Sequence, residues 1–132
     1  MRYITIFVVL LAVLAMISCT SKMTAKEYFE AGYESYNNEN YQEALTNFKN
    51  IVEEYPESEF TAKAMFMVGF INANHVENFE EAKEYYEMFI SKYPDHELAA
   101  SAKYELDTLG KDIEELPIFK KIEEEEGKEK AE

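Results

Sequence analysis

The chain has one cysteine, two histidines, three prolines, four glycines and, beyond position 2, no arginine. Each shortage excludes something. A lone cysteine excludes a disulfide framework, and with two histidines it leaves no ordinary zinc site. Few glycines and prolines exclude an all-β protein built on tight turns. Without arginine beyond Arg2 there is no guanidinium to clamp a phosphate or carboxylate with two parallel hydrogen bonds. Positive charge is also scarce: 13 basic residues face 27 acidic ones, for a net charge of −14 over 132 residues. Such a surface repels phosphate backbones, which argues against nucleic acid as a partner. What is present is one small, acidic, helix-rich domain with an apolar segment in front.

That segment reads as an address. Arg2 gives a short basic start, and residues 4–17 form a 14-residue run broken only by Thr5. The run is shorter than the roughly 20 residues of a membrane-spanning helix and has the length of a secretory signal core. Ser18 and then Cys19 follow it directly. This resembles a bacterial lipoprotein signal, in which the cysteine thiol is lipidated and becomes the new N-terminus; Met16 stands where that pattern usually has leucine. The resemblance implies a signal peptide at 1–18, a linker at 19–23 after lipidated Cys19, and a protein held on a membrane by its acyl chains. Thr20 after the cysteine, in place of aspartate, points to the outer membrane of the bacterial cell envelope, facing the periplasm.

The body repeats itself at a spacing of 38. Glu39-Asn40-Tyr41-Gln42-Glu43-Ala44 matches Glu77-Asn78-Phe79-Glu80-Glu81-Ala82, Phe48 falls on Tyr86, and Tyr55-Pro56 falls on Tyr93-Pro94. Gly32 and Gly69 are 37 apart, so the second copy holds one extra residue, near Asn74-His75-Val76. Each copy reads as two helices. The stripe Tyr41, Ala44, Leu45, Phe48, Ile51, Val52, Tyr55 recurs at three and four, and Phe79, Ala82, Tyr86, Phe89, Ile90, Tyr93 repeats it. Pro56 and Pro94 stop these helices. The helices before them are expected at about 24–37 and 59–74. Thr24 with Glu27, Asn40 with Glu43 and Asn78 with Glu81 have capping-box spacing, and Ser58 is a further candidate cap. A fifth helix, 96–109, ends at Gly110 with Leu98, Ala102, Leu106 and Leu109 on its apolar edge. Residues 111–122 form a short C-terminal extension with Ile113, Leu116, Ile118 and Phe119. Residues 123–132 are an acidic tail expected to be disordered.

These residues resemble the tetratricopeptide repeat, whose pattern is a large residue, Leu-Gly, Tyr, Ala-x-x-x-Phe and Pro. The first copy supplies Tyr28, Ala31-Gly32, Ser35, Ala44, Phe48 and Pro56. The second supplies Met65, Val68-Gly69, Asn72, Ala82, Tyr86 and Pro94. Ser35 and Asn72 depart from the tyrosine slot. The long period and the Tyr-Pro-Glu-Ser and Tyr-Pro-Asp-His turns look like one branch of the family. It includes the periplasmic repeat domain of the Tol–Pal coordination protein and the lipoprotein of the outer-membrane β-barrel assembly machine. The resemblance implies an all-α fold over residues 24–110, a short right-handed α-solenoid of about two and a half repeats.

It also implies a concave groove lined by the first helix of each repeat. Phe29, Phe66 and Tyr104 align as one row, Tyr33, Phe70 and Thr108 as the next. Tyr36 with Asn37, and Ala73 with Asn74, come near the helix ends, and Lys26 and Lys63 begin the rows. The expected partner-binding residues are Lys26, Phe29, Tyr33, Tyr36, Asn37, Lys63, Phe66, Phe70, Asn74 and Tyr104. Rings would receive an extended or helical segment, and amides its backbone.

His75 and His96 lie 21 apart in turns, with no third ligand at metal spacing, and no Gly-rich phosphate loop or nucleophile elbow occurs. No catalytic residue, metal or cofactor is expected. Two functions stand. One is a membrane-anchored envelope scaffold that binds another envelope protein or peptide, in outer-membrane protein assembly or envelope maintenance. The other is a structural subunit that self-assembles or docks through its repeat ends, so a homo-oligomer stays open.

The anchor is directly testable. Cys19→Ala should turn a membrane-bound protein into a soluble or unprocessed one. Radiolabelled palmitate that fails to enter the wild-type protein refutes the anchor.

Overall fold

The computed structural model describes residues 22–111, so Cys19, the signal segment, the extension beyond Lys111 and the acidic tail lie outside the described residues. Within it the chain forms five α-helices, with no strand among the described residues. They are α1 (Ala25–Asn37), α2 (Tyr41–Glu54), α3 (Thr61–Ile71), α4 (Phe79–Lys92) and α5 (Ala99–Thr108). Each helix packs chiefly on the next. That is the nearest-neighbour order of a helical-hairpin solenoid.

The contact that builds each hairpin is a ring laid on a glycine. Phe48 of α2 lies against Gly32 of α1 so closely that a Cβ there would meet its Cε1 at 2.8 Å. Tyr86 of α4 lies on Gly69 of α3 in the same way, at 2.9 Å. Phe48 and Tyr86 are fully buried, as are Ala44 and Ala82, the small residues one turn earlier in α2 and α4. The expected stripes therefore face the expected partners. Helix α3 differs: Ala62, Ala64, Met65, Met67, Val68, Gly69 and Ile71 are all buried. It lies between α2 and α4, and a helix covered on both sides is apolar around most of its circumference.

The two turns inside the hairpins show what the extra residue does. In the first, the backbone carbonyl of Ser35 accepts from the Asn40 N–H at 2.8 Å, five residues on. In the second, the carbonyl of Asn72 accepts from Asn78 at 2.9 Å, six residues on. The added residue is absorbed by one π-helical turn, Asn72–Val76. Helix α3 thus ends at Ile71, earlier than the expected 74. Both turns then pass through a left-handed glutamate, Glu39 with φ 61° and Glu77 with φ 58°.

The same carbonyls overturn one expected cap. A reciprocal box needs a free backbone N–H on the capping residue, and those of Asn40 and Asn78 are already taken. The Asn40 side chain makes no cap hydrogen bond. Asn78 keeps half of the motif, its Oδ1 accepting from Glu81 N–H at 3.3 Å. Thr24 donates its backbone N–H to the Glu27 carboxylate and forms the full box with it. The two hydrogen bonds donated by Thr24 hold the Glu27 carboxyl below the usual range.

The turns between repeats are also alike. Ser58 N–H donates to Tyr55 O, and His96 N–H to Tyr93 O. The Ser58 hydroxyl accepts from Phe60 N–H at 3.3 Å, and His96 Nδ1 accepts from Leu98 N–H at 3.1 Å. Ser58 therefore caps the turn before α3 instead of the helix itself, which starts at Thr61. His96, expected in a turn, lies in one and is half-buried, with its ring edge-on to Phe89. Helix α5 ends as expected, with Gly110 at φ 67°.

The second ring contact carries a defect that the first lacks. Tyr86 Oη is buried with no hydrogen-bond partner among the described residues, and the matching residue in the first repeat is Phe48. Burial, with Glu105 nearby, pushes the Tyr86 phenol well above its usual range, and burial with Glu81 and Glu53 pushes Tyr85 up to about 12. A phenol whose folded-state pKa is raised contributes stability that is complete below the unfolded value near 10. That stability is lost as pH rises through 10 towards 12, at about 1.4 kcal/mol per pH unit for each tyrosine. Two substitutions at this contact should have opposite signs. Tyr86→Phe removes an unsatisfied hydroxyl and should be neutral or stabilising by about 1 kcal/mol, with a shallower loss above pH 10. Gly69→Ala should destabilise by about 1–3 kcal/mol, because overpacking outweighs the roughly 1 kcal/mol gained in helix propensity. Denaturant melts at pH 7 and pH 11 check both.

Candidate functional site

The first helices of the repeats carry the expected row, and it occupies a half-buried layer above the core. Phe29 and Phe66 are partly buried, and Tyr104 is 59% exposed. Helical spacing brings Tyr33 next to Phe29, with centroids 4.9 Å apart and nearly perpendicular, and Phe70 next to Phe66 at 6.3 Å. Behind them lie buried rings of the second helices. Phe29 meets Phe48 at 6.0 Å and Tyr33 meets it at 5.3 Å. Phe66 meets Tyr86 at 5.8 Å and Phe89 at 6.0 Å. Phe29, Tyr33 and Phe66 are thus each backed by an edge-to-face pair that fixes the ring's orientation.

One ring that holds the row was missed from the sequence. Phe60, just before α3, lies 4.8 Å from Phe29 in a tilted stack and spans the step between repeats. It precedes the periodic stripe and so gave no helical signal.

Tyr36 does not stand with the row. It turns to the hairpin end, edge-on to Tyr41 at 5.9 Å and to His75 at 5.5 Å. His75 is stacked on Tyr41, with centroids 4.1 Å apart and planes 15° from parallel. The Tyr36 hydroxyl and His75 Nε2 are 3.3 Å apart. His75 is an exposed turn residue, as expected, and is also a junction of three rings, since Phe70 stands edge-on to it at 6.1 Å. The π turn delivers it there. The signal was the change of spacing from 37 to 38, which marks an insertion without showing where its side chains point.

The polar members are at the rim. Asn37 and Asn74 are exposed, and Asn74 Nδ2 donates to Phe70 O at 3.0 Å. Lys26 pairs with Glu30 at 3.6 Å and Lys63 with Glu97 at 3.7 Å, both in solvent, where such pairs contribute little. The arrangement therefore offers apolar faces flanked by amides and partly neutralised lysines.

The sequence model of the outer membrane lipoprotein family YfiO matches residues 21–115, well over half of the chain. The chain belongs to this outer membrane lipoprotein family. Membership makes it a lipid-anchored protein of the bacterial outer membrane, and it agrees with the tetratricopeptide-type resemblance of the two copies. No curated protein and no solved structure gives a significant match.

Proposed function

We propose that the protein is an outer-membrane scaffold that holds a segment of another envelope protein on its aromatic row. Lipidated Cys19 supplies the anchor, and the domain faces the periplasm. The observation that supports the reading is the layered ring arrangement. Phe29 and Phe66 are only partly buried, and each is fixed by neighbouring rings: Phe29 by Phe60 and Phe48, Phe66 by Tyr86 and Phe89. Rigid, partly buried rings suit a binding anchor, because little side-chain freedom is lost when a partner covers what remains exposed. Asn37 and Asn74 at the rim suit the backbone of a bound chain, and Lys26 and Lys63 its carboxylates. Catalysis has no part in this reading.

A second reading has its own observation. Among the described residues, Tyr104 on α5 and Phe79 at the start of α4 are the most exposed large rings, at 59% and 43%, and both belong to the last hairpin and its closing helix. Exposed rings at a stack end suit a structural subunit that docks end-on with a second copy.

Phe48 and Phe66 separate fold from function. Phe48→Ala should open a cavity in the first hairpin and cost about 3–5 kcal/mol, which unfolds a small stack. Phe66→Ala removes a half-buried ring and should cost roughly 1 kcal/mol. It should weaken partner capture by about 2 kcal/mol, near thirtyfold. Thermal melts and pull-down from detergent-solubilised envelopes measure the two effects. A Phe66→Ala variant as unstable as Phe48→Ala, or one that captures its partner undiminished, removes the support for the groove. Light scattering that shows an oligomer favours the structural subunit.

A further inference from the structure

The residues ahead of α1 are clasped to the far end of α2. Tyr55 Oη donates to Met23 O at 2.6 Å, and both residues are partly buried. Lys22 pairs with Glu54 at 2.9 Å and stands over the Tyr55 ring at 5.5 Å. The same ring packs on Tyr28 of α1, with centroids 6.3 Å apart. A hydrogen bond, an ion pair and a cation–π contact thus fix residues 22 and 23 to the repeat domain. At the matching place in the second repeat the charges are exchanged, Glu59 for Lys22 and Lys92 for Glu54. Lys92 there donates to Pro56 O at 3.4 Å, and Lys63 of α3 pairs with Glu97 at 3.7 Å. Those links gather both inter-repeat turns at the end of the stack that carries the clasp. The hairpin turns, with His75 and Phe79, lie at the opposite end.

We propose that the clasp holds the domain end-on at the membrane, with the turns at Pro56 and Pro94 towards the lipid and the hairpin turns away from it. The inference deepens the scaffold reading and rests on it for the acylated Cys19. Cys19 is three residues before Lys22, so the clasp stands at most about 11 Å of chain from the lipidated thiol. A domain on so short a lead, gripped at one end, has that end nearest the lipid. Charge does not produce this orientation. The turns expose Glu57, Glu59, Asp95 and Glu97, which anionic headgroups repel. The consequence falls on the aromatic row. Phe29 and Phe66 are the fifth and sixth residues of α1 and α3, about 6–8 Å in from the turn end. The segment they would hold therefore runs close beside the membrane.

The chain has no tryptophan, so one introduced indole reports its height above a vesicle whose headgroups carry an energy acceptor. Glu57→Trp marks the turn end and Asn38→Trp the hairpin end, separated by the 14 residues of α2, about 21 Å. The chain from Cys19 to Glu132 is coupled through the Cys19 thiol to a maleimide lipid. That arrangement tests the geometry whether or not the cell acylates the thiol, and palmitate labelling in cells tests acylation separately. Transfer from position 57 should exceed that from position 38 severalfold, in neutral and anionic vesicles alike. Tyr55→Phe combined with Glu54→Gln unfastens the clasp and keeps the ring that packs on Tyr28. Circular dichroism should stay unchanged while the two transfers draw together. Equal transfer from the two positions with the clasp intact overturns the proposal. So does a clasp variant that keeps the full difference, or a Cys19→Ala chain that binds the same vesicles without a lipid.

Discussion

The fold depends on the approach of two backbones that only a missing side chain permits. Gly32 and Gly69 have no Cβ, and into that space fall the rings of Phe48 and Tyr86. A close helix pair is a rigid hairpin, and the rigid hairpin sets the level at which every other ring lies. Phe29 and Tyr33 sit where they do because Phe48 is behind them, and Phe66 because Tyr86 and Phe89 are behind it. Alanines at 44 and 82 keep the crossing tight one turn earlier. The same principle accounts for the small polar residues in place of a family tyrosine. Ser35 and Asn72 are both buried, and their carbonyls close the hairpin turns.

A single added residue then makes the two hairpins different. It cannot be stored in a regular α-helix without turning the rest of the helix face by about 100°. Storage in a π turn leaves α3 in register with α2 and α4 and presents His75 to the first hairpin. Through that stack, and through Phe60 on Phe29, each repeat is tied to the next by rings as well as aliphatic packing. The cross-repeat ion pair of Lys49 with Glu81 lies on the same seam, half-buried.

For function the consequence is a division of labour between ring layers. The inner layer holds the solenoid together and the outer layer is held by it, so a surface of apolar faces exists without being loose. An outer membrane lipoprotein is tethered at a fixed surface, where modest affinity suffices for a partner confined there as well, as the proposed scaffold requires. The shortage of arginine and the surplus of glutamate suit this setting. The exposed faces stay soluble, and in the proposed scaffold recognition is left to rings and amides.

Much of this was legible in the amino-acid order, for a physical reason. Helix periodicity, prolines after Tyr55 and Tyr93, and the glycine-to-ring spacing are local or repeat at a constant interval, so the five helices, their pairing and the core at Ala44, Phe48, Ala82, Tyr86 and Phe89 could be read directly. The failures lie where a group's environment comes from another element. Asn40 has cap spacing, but its N–H belongs to the preceding helix. Tyr36 has groove spacing, but His75, 39 residues away, draws it to the hairpin end. Tyr85 has no counterpart in the first stripe, yet it is buried. Phe60 belongs to no stripe and still supports the row. The sequence by itself determined the helices, their order and the faces they bury, because those follow from side-chain size at fixed intervals. Only the tertiary structure decided which rings stay exposed, because exposure depends on what the neighbouring repeat places above each ring.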